Sequence, residues 1–266
     1  MNLEVLLSCM HQVDFSIVEK SCILGDVLII NQSDIDTIEE LNENGQSIRM
    51  ISTTERGLSR SRNMAIENAR GDICLLCDND EVFYKDYERV ILDAFQRLPD
   101  ADIILFNFDN LSHKFKNVEH RLKYFELFHA ISCQIAYRKV SLDRLSVRFN
   151  PFMGAGSGNG AQEENKFLID CYKKRMKIYY VPQKLGRIHE TESTWFNGFS
   201  EAFFYQRGGS TRQMLGLPLS VLYAIYYVVR KKNIYSHEIS SGRALIATLR
   251  GCLENPIGKQ MKQQKK

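Results

Sequence analysis

Three acidic residues stand together directly after an apolar run that has the length of a strand. The run Asp72–Cys77 is nearly all apolar and leads into Asp78, Asp80 and Glu81. Carboxylate oxygens are preferred ligands of Mg²⁺ and Mn²⁺, and one or two carboxylates commonly hold such a cation against substrate phosphates. A solvated turn is the alternative explanation, because Asp and Asn favour turns. The segment therefore predicts either a divalent-cation site or a polar turn.

Arginines cluster upstream of these acids. Arg56, Arg60 and Arg62 surround Gly57 and the start of a predicted helix. A helix N-terminus with arginines is well suited to bind phosphate, because guanidinium groups and free backbone amides both favour anions. A basic, solvated helix face has the same pattern, so both interpretations stay open.

A glycine-rich segment precedes a second group of acids. Four glycines lie from Gly154 to Gly160, and Glu163 and Glu164 follow at the start of a predicted helix. Acids are favourable at a helix N-terminus, which is a structural explanation for the pair. A glycine-rich loop that delivers a carboxylate is also typical of an active-site lid.

His189 leaves a predicted strand and enters the polar sequence Glu190–Ser193. A histidine in this position has the chemistry of a metal ligand. A structural role is the commoner explanation for a single histidine.

The elements that must position these residues follow from the alternation of short apolar runs with helix-like segments. This alternation predicts an α/β fold with a mainly parallel sheet flanked by helices. The carboxyl ends of such strands border the ligand crevice. The predicted strands are Glu4–Cys9, Asp26–Ile30, Ile48–Ser52, Asp72–Cys77, Asp102–Phe108, Lys177–Val181 and Leu185–Ile188, and the predicted helices are Leu58–Ala69, Tyr84–Arg97 and Gln162–Arg175.

The order of these motifs resembles the family 2 glycosyltransferases of the GT-A (Rossmann-like) fold, of the kind that builds bacterial surface polysaccharides. That pattern has a nucleotide-binding first strand, an Arg-Asn pair on a helix, a DxD motif and a later acidic pair that opens a helix. Here the corresponding sequences are SCM, SRN, DND and EEN. The resemblance covers about residues 1–195.

The resemblance implies a cation site of Mn²⁺ or Mg²⁺. Asp78 and Asp80 match the DxD motif, with Asp80 as the direct ligand and Asp78 near the ribose or the water shell of the metal. His189 matches a histidine that some members place near the metal or the diphosphate.

The resemblance also implies a catalytic pair. Glu163 and Glu164 match the acidic pair, whose second member is the general base of the family, so Glu164 is the candidate base. The pair is Glu-Glu instead of Glu-Asp, which lengthens the reach of the base by one methylene.

Four further residues match positions that hold the nucleotide. Ser8 and Asn31 stand at the ends of the first two strands, and Arg62 and Asn63 border the nucleotide cleft. The second strand ends in Asn31-Gln32, where the family commonly has an acid. The sequence therefore does not determine which nucleobase the enzyme binds.

We therefore expect an inverting, metal-dependent glycosyltransferase that moves a sugar from a nucleotide-sugar donor, a UDP-sugar, to an acceptor hydroxyl. The expected acceptor is a glycan or lipid-linked glycan in polysaccharide biosynthesis, and nucleic acid is not an expected partner. The alternatives are a nucleotidyltransferase on a similar α/β scaffold and a non-catalytic membrane-binding protein. A nucleotidyltransferase usually has a glycine-rich loop after its first strand, whereas residues 8–15 contain no glycine.

Composition and charge bound the remaining questions. The chain has 266 residues, of which 44% are hydrophobic and 25% charged, so disorder, collagen and coiled coil do not describe the whole. Seven cysteines, most of them in apolar runs, favour reduced thiols. Because the first residues also lack a basic leader, we expect a cytoplasmic protein, either free or peripheral on the inner face of the cell membrane.

The C-terminal part differs from the rest in charge. Residues 201–266 have a balance of +8, whereas the first 200 residues have a balance of −5. We expect a GT-A nucleotide-sugar-binding and catalytic domain over residues 1–200 and a helical, basic extension over residues 201–266, with a disordered tail from about residue 259. Such a basic segment favours an anionic partner.

The apolar stretch Leu215–Val229 lies in this extension. Its fifteen residues would form a helix of about 22 Å, short of the roughly 30 Å of a bilayer core. Gly216 and Pro218 interrupt it, and Arg230 starts a basic run. It predicts either an interfacial helix on an anionic bilayer or a helix packed on the catalytic domain.

Overall fold

The computed structural model describes residues 1–43, 45–111, 114–160, 162–189, 196 and 198–264. The strands are β1 (Leu3–Met10), β2 (Asp26–Gln32), β3 (Thr37–Glu43), β4 (Gln46–Thr53), β5 (Ile73–Asp78), β6 (Glu81–Phe83), β7 (Ile103–Asp109), β8 (His120–Arg121), β9 (Ile135–Arg138) and β10 (Ile178–Ile188). The helices are α1 (Ser16–Lys20), α2 (Leu58–Asn68), α3 (Tyr87–Arg97), α4 (Lys139–Leu145), α5 (Glu163–Lys173), α6 (Glu201–Arg230), α7 (Lys232–Tyr235), α8 (Ser241–Glu254) and α9 (Pro256–Gln263).

All ten strands form one sheet with the order β3-β4-β2-β1-β5-β9-β7-β10-β6, and β8 pairs with β10. The neighbours β4, β2, β1 and β5 are parallel, as are β7 and β10. The remaining pairs, which involve β3, β6, β8 and β9, are antiparallel. The predicted α/β fold is confirmed, and its sheet is mixed because these four additional strands join the parallel ones.

The central strands are buried on both faces, which explains their nearly continuous apolar sequences. Along β5, residues 73–77 are all buried, and β1 is buried from Leu3 to Cys9. Helix α3 packs its apolar stripe, including Ile91 and Phe95, into the same core. This rigid centre fixes the backbone of the strand ends that carry the acidic residues.

The chain divides into two compact units. The sheet unit comprises the described residues of 1–56, 60–149 and 167–191, and the helical unit comprises those of 57–59, 150–166 and 192–266. The helical unit thus includes the glycine-rich segment as well as the C-terminal helices. Our division at residue 200 concerns catalytic and membrane roles, and it stays a prediction.

Two helices of the helical unit approach each other at glycines. A Cβ atom at Gly208 of α6 would lie 2.1 Å from the Thr248 carbonyl oxygen, and one at Gly251 of α8 would lie 2.0 Å from the Tyr205 carbonyl oxygen. Any larger residue would therefore collide with backbone, and the crossing of α6 and α8 depends on these two positions.

Helix α9 differs from the disorder that we predicted from about residue 259. The Asn255 side chain accepts a hydrogen bond from the Gly258 N–H at 3.1 Å, Pro256 occupies the first turn, and Ile257 is fully buried. These are helix-start features. They order residues 256–263 despite a polar composition.

Candidate active site

The register of the central strands brings the predicted residues to one edge of the sheet. Ser8 of β1 lies opposite Asp78 of β5, and Cys9 lies opposite Asn31 of β2. All of these positions are at the carboxyl ends of parallel strands. Helix α2 adds Arg62 to the same edge, where it contacts Asp78.

Asp78 is held by two side chains. The Nη2 atom of Arg62 donates to both carboxylate oxygens at 3.0 Å, and the Ser132 Oγ donates to Oδ2 at 2.9 Å. The Arg62 side chain is only 2% exposed and its guanidinium lies 5.5 Å from the centre of the Phe149 ring. A buried cation needs such a partner, so Arg62 and Asp78 fix each other in one orientation.

Asp80 is half-buried on the turn that follows β5. Burial, and then the charge of Asp78, raise the pKa of Asp80 above its usual range, while His189 opposes the shift. The Asp80 carbonyl oxygen accepts a hydrogen bond from the His189 N–H at 2.8 Å. Burial is the main cause of this shift, and a cation bound beside Asp80 would favour its charged form.

The donor set fits a hard divalent cation in an incomplete protein site. Asp78 and Asp80 offer carboxylate oxygens, although those of Asp78 already accept hydrogen bonds from Arg62 and Ser132, and His189 is exposed beside Asp80. Within the described part of the chain, no three His, Cys, Asp or Glu side chains are grouped closely enough to hold a metal ion alone. Mg²⁺ and Mn²⁺ sites with one or two protein carboxylates are commonly completed by substrate phosphates and water.

Glu81 is a site residue to which the sequence assigned no individual role. It is 2% exposed on β6, and its Oε1 atom accepts a hydrogen bond from the Asp78 N–H at 3.1 Å. Its Oε2 atom has no hydrogen-bond partner among the described residues. Burial and the charge of Asp78 raise the pKa of Glu81 well above its usual range. The hydrogen bond from Asp78 to Glu81 closes the turn that carries Asp80. In the sequence, this role could have been suspected only because Glu81 is an acid that directly precedes the apolar pair Val82-Phe83.

Asn31 is committed to the loop after β1. Its Nδ2 atom donates to the Gln12 carbonyl at 2.9 Å and to Ser52 Oγ at 3.0 Å, and its Oδ1 atom accepts from the Gln12 N–H at 2.9 Å. The residue is 1% exposed. This geometry assigns Asn31 a structural task, and its predicted contact with a nucleoside stays a prediction.

Ser8 and Asn63 also have protein partners. Ser8 Oγ accepts a hydrogen bond from Ser61 Oγ at 2.9 Å. The Asn63 side chain forms two hydrogen bonds with the backbone of Phe149. Its Nδ2 atom donates to the carbonyl oxygen at 2.9 Å, and its Oδ1 atom accepts from the N–H at 2.7 Å. Asn63 therefore positions the segment that packs on Arg62, and its role at the nucleotide cleft stays a prediction.

The acidic pair opens α5, whose first four residues belong to the helical unit. Glu163 is 5% exposed and packs against Gly154, where a Cβ atom would lie 2.9 Å from the Glu163 Cδ atom. Glu164 is half-buried. The glycine segment thus leaves room for Glu163, and Glu164 has the larger accessible surface of the two.

Comparison with known proteins identifies the family. The sequence model of glycosyl transferase family 2 matches residues 16–150, which is more than half of the chain. No curated protein has significant sequence similarity to the chain.

Solved structures share the fold. TarS from S. aureus, residues 1–349 in complex with UDP-GlcNAc, superimposes with a TM-score of 0.57 at 12% identity, over 90% of this chain and 74% of that chain. The same protein with UDP gives a TM-score of 0.56 at 13% identity, over 99% and 92% of the two chains. The mannosyltransferase PcManGT from Pyrobaculum calidifontis, with GDP-Man and Mn²⁺, gives 0.50 at 12% identity, over 98% and 79%.

The family match favours sugar transfer over the nucleotidyltransferase and the non-catalytic binding protein that the sequence left open, and the sheet with its flanking helices agrees with the GT-A neighbours. The chain belongs to glycosyltransferase family 2, has the GT-A fold and is a glycosyltransferase.

Proposed function

We propose that this enzyme transfers a sugar from a UDP-sugar to an acceptor hydroxyl with inversion at the anomeric carbon. The observation that carries the proposal is the carboxylate pair at the end of β5. Arg62 fixes the orientation of Asp78, and burial together with the charge of Asp78 raises the pKa of Asp80. Such a pair suits a donor whose diphosphate arrives with a divalent cation.

Asp80, Asp78 and His189 are the residues that would hold Mn²⁺ or Mg²⁺. When bound, the cation neutralises the charge that builds on the departing diphosphate. The Mn²⁺ in the mannosyltransferase complex supports the use of a metal in this fold. Arg62 adds a fixed positive charge beside Asp78.

Glu164 is the proposed general base. It takes the proton from the acceptor hydroxyl while that oxygen bonds to the anomeric carbon, and the bond from this carbon to the diphosphate oxygen breaks on the opposite face. An α-linked donor then gives a β-linked product. The burial of Glu163 against Gly154 supports this division of roles, because Glu164 is the more accessible acid.

The donor base is proposed as uracil. Support comes from the TarS complexes with UDP-GlcNAc and UDP, whereas the mannosyltransferase was solved with GDP-Man. Ser8, Asn31, Arg62 and Asn63 are the proposed nucleotide-side residues. Because the Asn31 side chain is hydrogen-bonded to the Gln12 backbone, we propose that Asn31 affects binding of the uracil indirectly, by shaping the loop after β1.

The proposed acceptor is a glycan carried on a lipid at the inner face of the cell membrane, in the assembly of a surface polysaccharide. The balance of +8 over residues 201–266 supports an anionic surface near the enzyme. Nucleic acid is not a proposed partner.

A nucleotide-release assay tests the proposal. The wild-type enzyme is incubated with UDP-sugars and GDP-sugars, lipid-linked or free glycan acceptors, and either Mn²⁺ or EDTA. We expect UDP release that requires both an acceptor and the metal. Release from GDP-sugars only would refute the base assignment, and full activity in EDTA would refute the metal site.

A further inference from the structure

The second half of α6 exposes apolar side chains on a surface where helices normally carry polar ones. Residues 217–229 contain no charged side chain. Leu222 is 62% exposed and Val229 is 72% exposed. The exposed apolar residues are Leu217, Leu219, Leu222, Ile225, Tyr226 and Val229. At about 100° per residue, most of them lie on one side of the helix, which we call the apolar face.

The opposite side of the same helix is packed into the core of the helical unit. Ala224, Tyr227 and Val228 are buried there with Phe204 and Tyr235. The Tyr235 hydroxyl donates a hydrogen bond to the Val228 carbonyl at 2.5 Å. A helix that is apolar on all sides needs an apolar environment on each of them. Here the protein core covers one side only, and the apolar face is exposed.

A basic cluster directly follows the apolar face. Arg230, Lys231 and Lys232 are all exposed. The sequence has no Asp or Glu between Glu201 and Glu238. The occupant of this surface must therefore combine an apolar region with negative charge.

The geometry of the segment suits a helix that lies flat. Gly216, with φ 74° and ψ 178°, interrupts α6, so Leu217–Arg230 is a separate helical segment of fourteen residues and about 21 Å. Within the ranges that the structure describes, no helix has both the length and the hydropathy to cross a bilayer. Tyr226 adds an amphipathic ring of the kind that is enriched at lipid headgroups.

We infer that the apolar face and the basic cluster bind the surface of an anionic lipid bilayer. The apolar side chains would enter the boundary between headgroups and acyl chains, and the three cations would contact anionic headgroups. A second copy of the chain fits less well, because it would bring the same cations and no acidic partner from residues 202–237. The inference does not depend on the sugar donor or on catalysis.

Vesicle binding of the full chain without substrates tests the inference. We expect binding to vesicles of phosphatidylcholine with 30% phosphatidylglycerol, weak binding to phosphatidylcholine alone, and release at high salt. Since each cation near an anionic surface contributes about 1 kcal/mol, the double variant Lys231→Gln, Lys232→Gln should weaken the affinity about thirtyfold. Binding that is equal for both vesicles would overturn the inference.

The apolar face is tested with a matched control on the sheet unit. Val229→Gln should weaken binding by about tenfold. Val140→Gln should leave it unchanged, because Val140 of α4 is 70% exposed and lies outside the helical unit. Thermal unfolding confirms that both variants are folded. Equal vesicle binding by the two variants would overturn the role of the apolar face. The role would also be overturned if the wild type were a dimer that does not bind vesicles and that Val229→Gln dissociates.

Discussion

The turn after β5 is held by hydrogen bonds to both the side chain and the backbone of Asp78. Arg62 and Ser132 orient the Asp78 side chain, while Glu81 accepts the hydrogen bond of the Asp78 backbone. The turn therefore has two separate anchors, one for the side chain and one for the main chain. The position of Asp80 between them depends on both.

We predict that Glu81→Leu destabilises the protein and weakens the binding of UDP in the presence of Mn²⁺. The substitution leaves the Asp78 N–H as a buried donor without an acceptor, which costs about 1–3 kcal/mol. Glu81→Gln retains an acceptor oxygen of the same reach and should lie within about 1 kcal/mol of the wild type. Urea unfolding and calorimetry measure both effects. Equal damage by the two variants would show that the hydrogen bond to Asp78 is not what Glu81 contributes.

Only part of this residue-level arrangement was predictable. The types and spacing of Asp78, Asp80 and Arg62 indicated a charged site, and the structure brings Arg62 and Asp78 into contact. The commitment of Asn63 to Phe149 was not predictable, because its partner lies 86 positions away in the chain. A side chain that binds backbone has no sequence signature on the partner, since every residue offers the same N–H and C=O.

Among the elements, hydrophobic runs identified the buried parallel strands and missed strands that are exposed and acidic or very short. β1, β2, β4, β5 and β7 all lie where the apolar runs predicted them. β3 was missed because its sequence TIEELNE is mostly exposed and acidic, and β9 has only four residues. The two predicted late strands form the single strand β10, whose pairing with β7 shifts register near Lys184.

The crossing of α6 and α8 gives an element-level prediction. Gly251→Ala should destabilise the helical unit by about 1–3 kcal/mol, since the added methyl group would collide with the Tyr205 carbonyl. Gly242→Ala is the matched control on the same helix, where nothing lies within 4 Å of the new Cβ atom. It should stabilise the helix by about 0.5–1 kcal/mol. Thermal unfolding of both variants decides, and two unchanged melting temperatures would contradict the tight crossing.

In the whole molecule, the predicted site residues are divided between the two compact units. The carboxylates of the DND turn and Arg62 belong to the sheet unit, whereas Glu163 and Glu164 belong to the helical unit. The charge asymmetry of the sequence coincides with a change in secondary structure, because the described residues of the basic segment 201–266 are mostly helical. Composition and motif order therefore predicted the family and the presence of a distinct C-terminal part, but not that residues 150–166 join it in one compact unit.

We predict that Glu164→Gln lowers kcat by about 10²–10⁴-fold, the usual contribution of a general base. The affinity for the donor should be nearly unchanged, because the base acts on the acceptor hydroxyl. Glu163→Gln is the control and should lower kcat less. Steady-state kinetics and donor calorimetry separate the two effects. If Glu163→Gln is the inactive variant instead, the assignment of the base is wrong by one position.

The central claim is that the carboxylates after β5 bind a nucleotide-sugar donor through a divalent cation. Calorimetric titration of UDP into the wild type and Asp80→Asn, each with Mn²⁺ and with EDTA, tests it most directly. Asn keeps the size of Asp80 and removes its charge, and circular dichroism checks that the variant is folded. We predict that the wild type binds UDP with Mn²⁺, and that the affinity falls at least about tenfold both on adding EDTA and in Asp80→Asn. Equal affinities in all four titrations would contradict it.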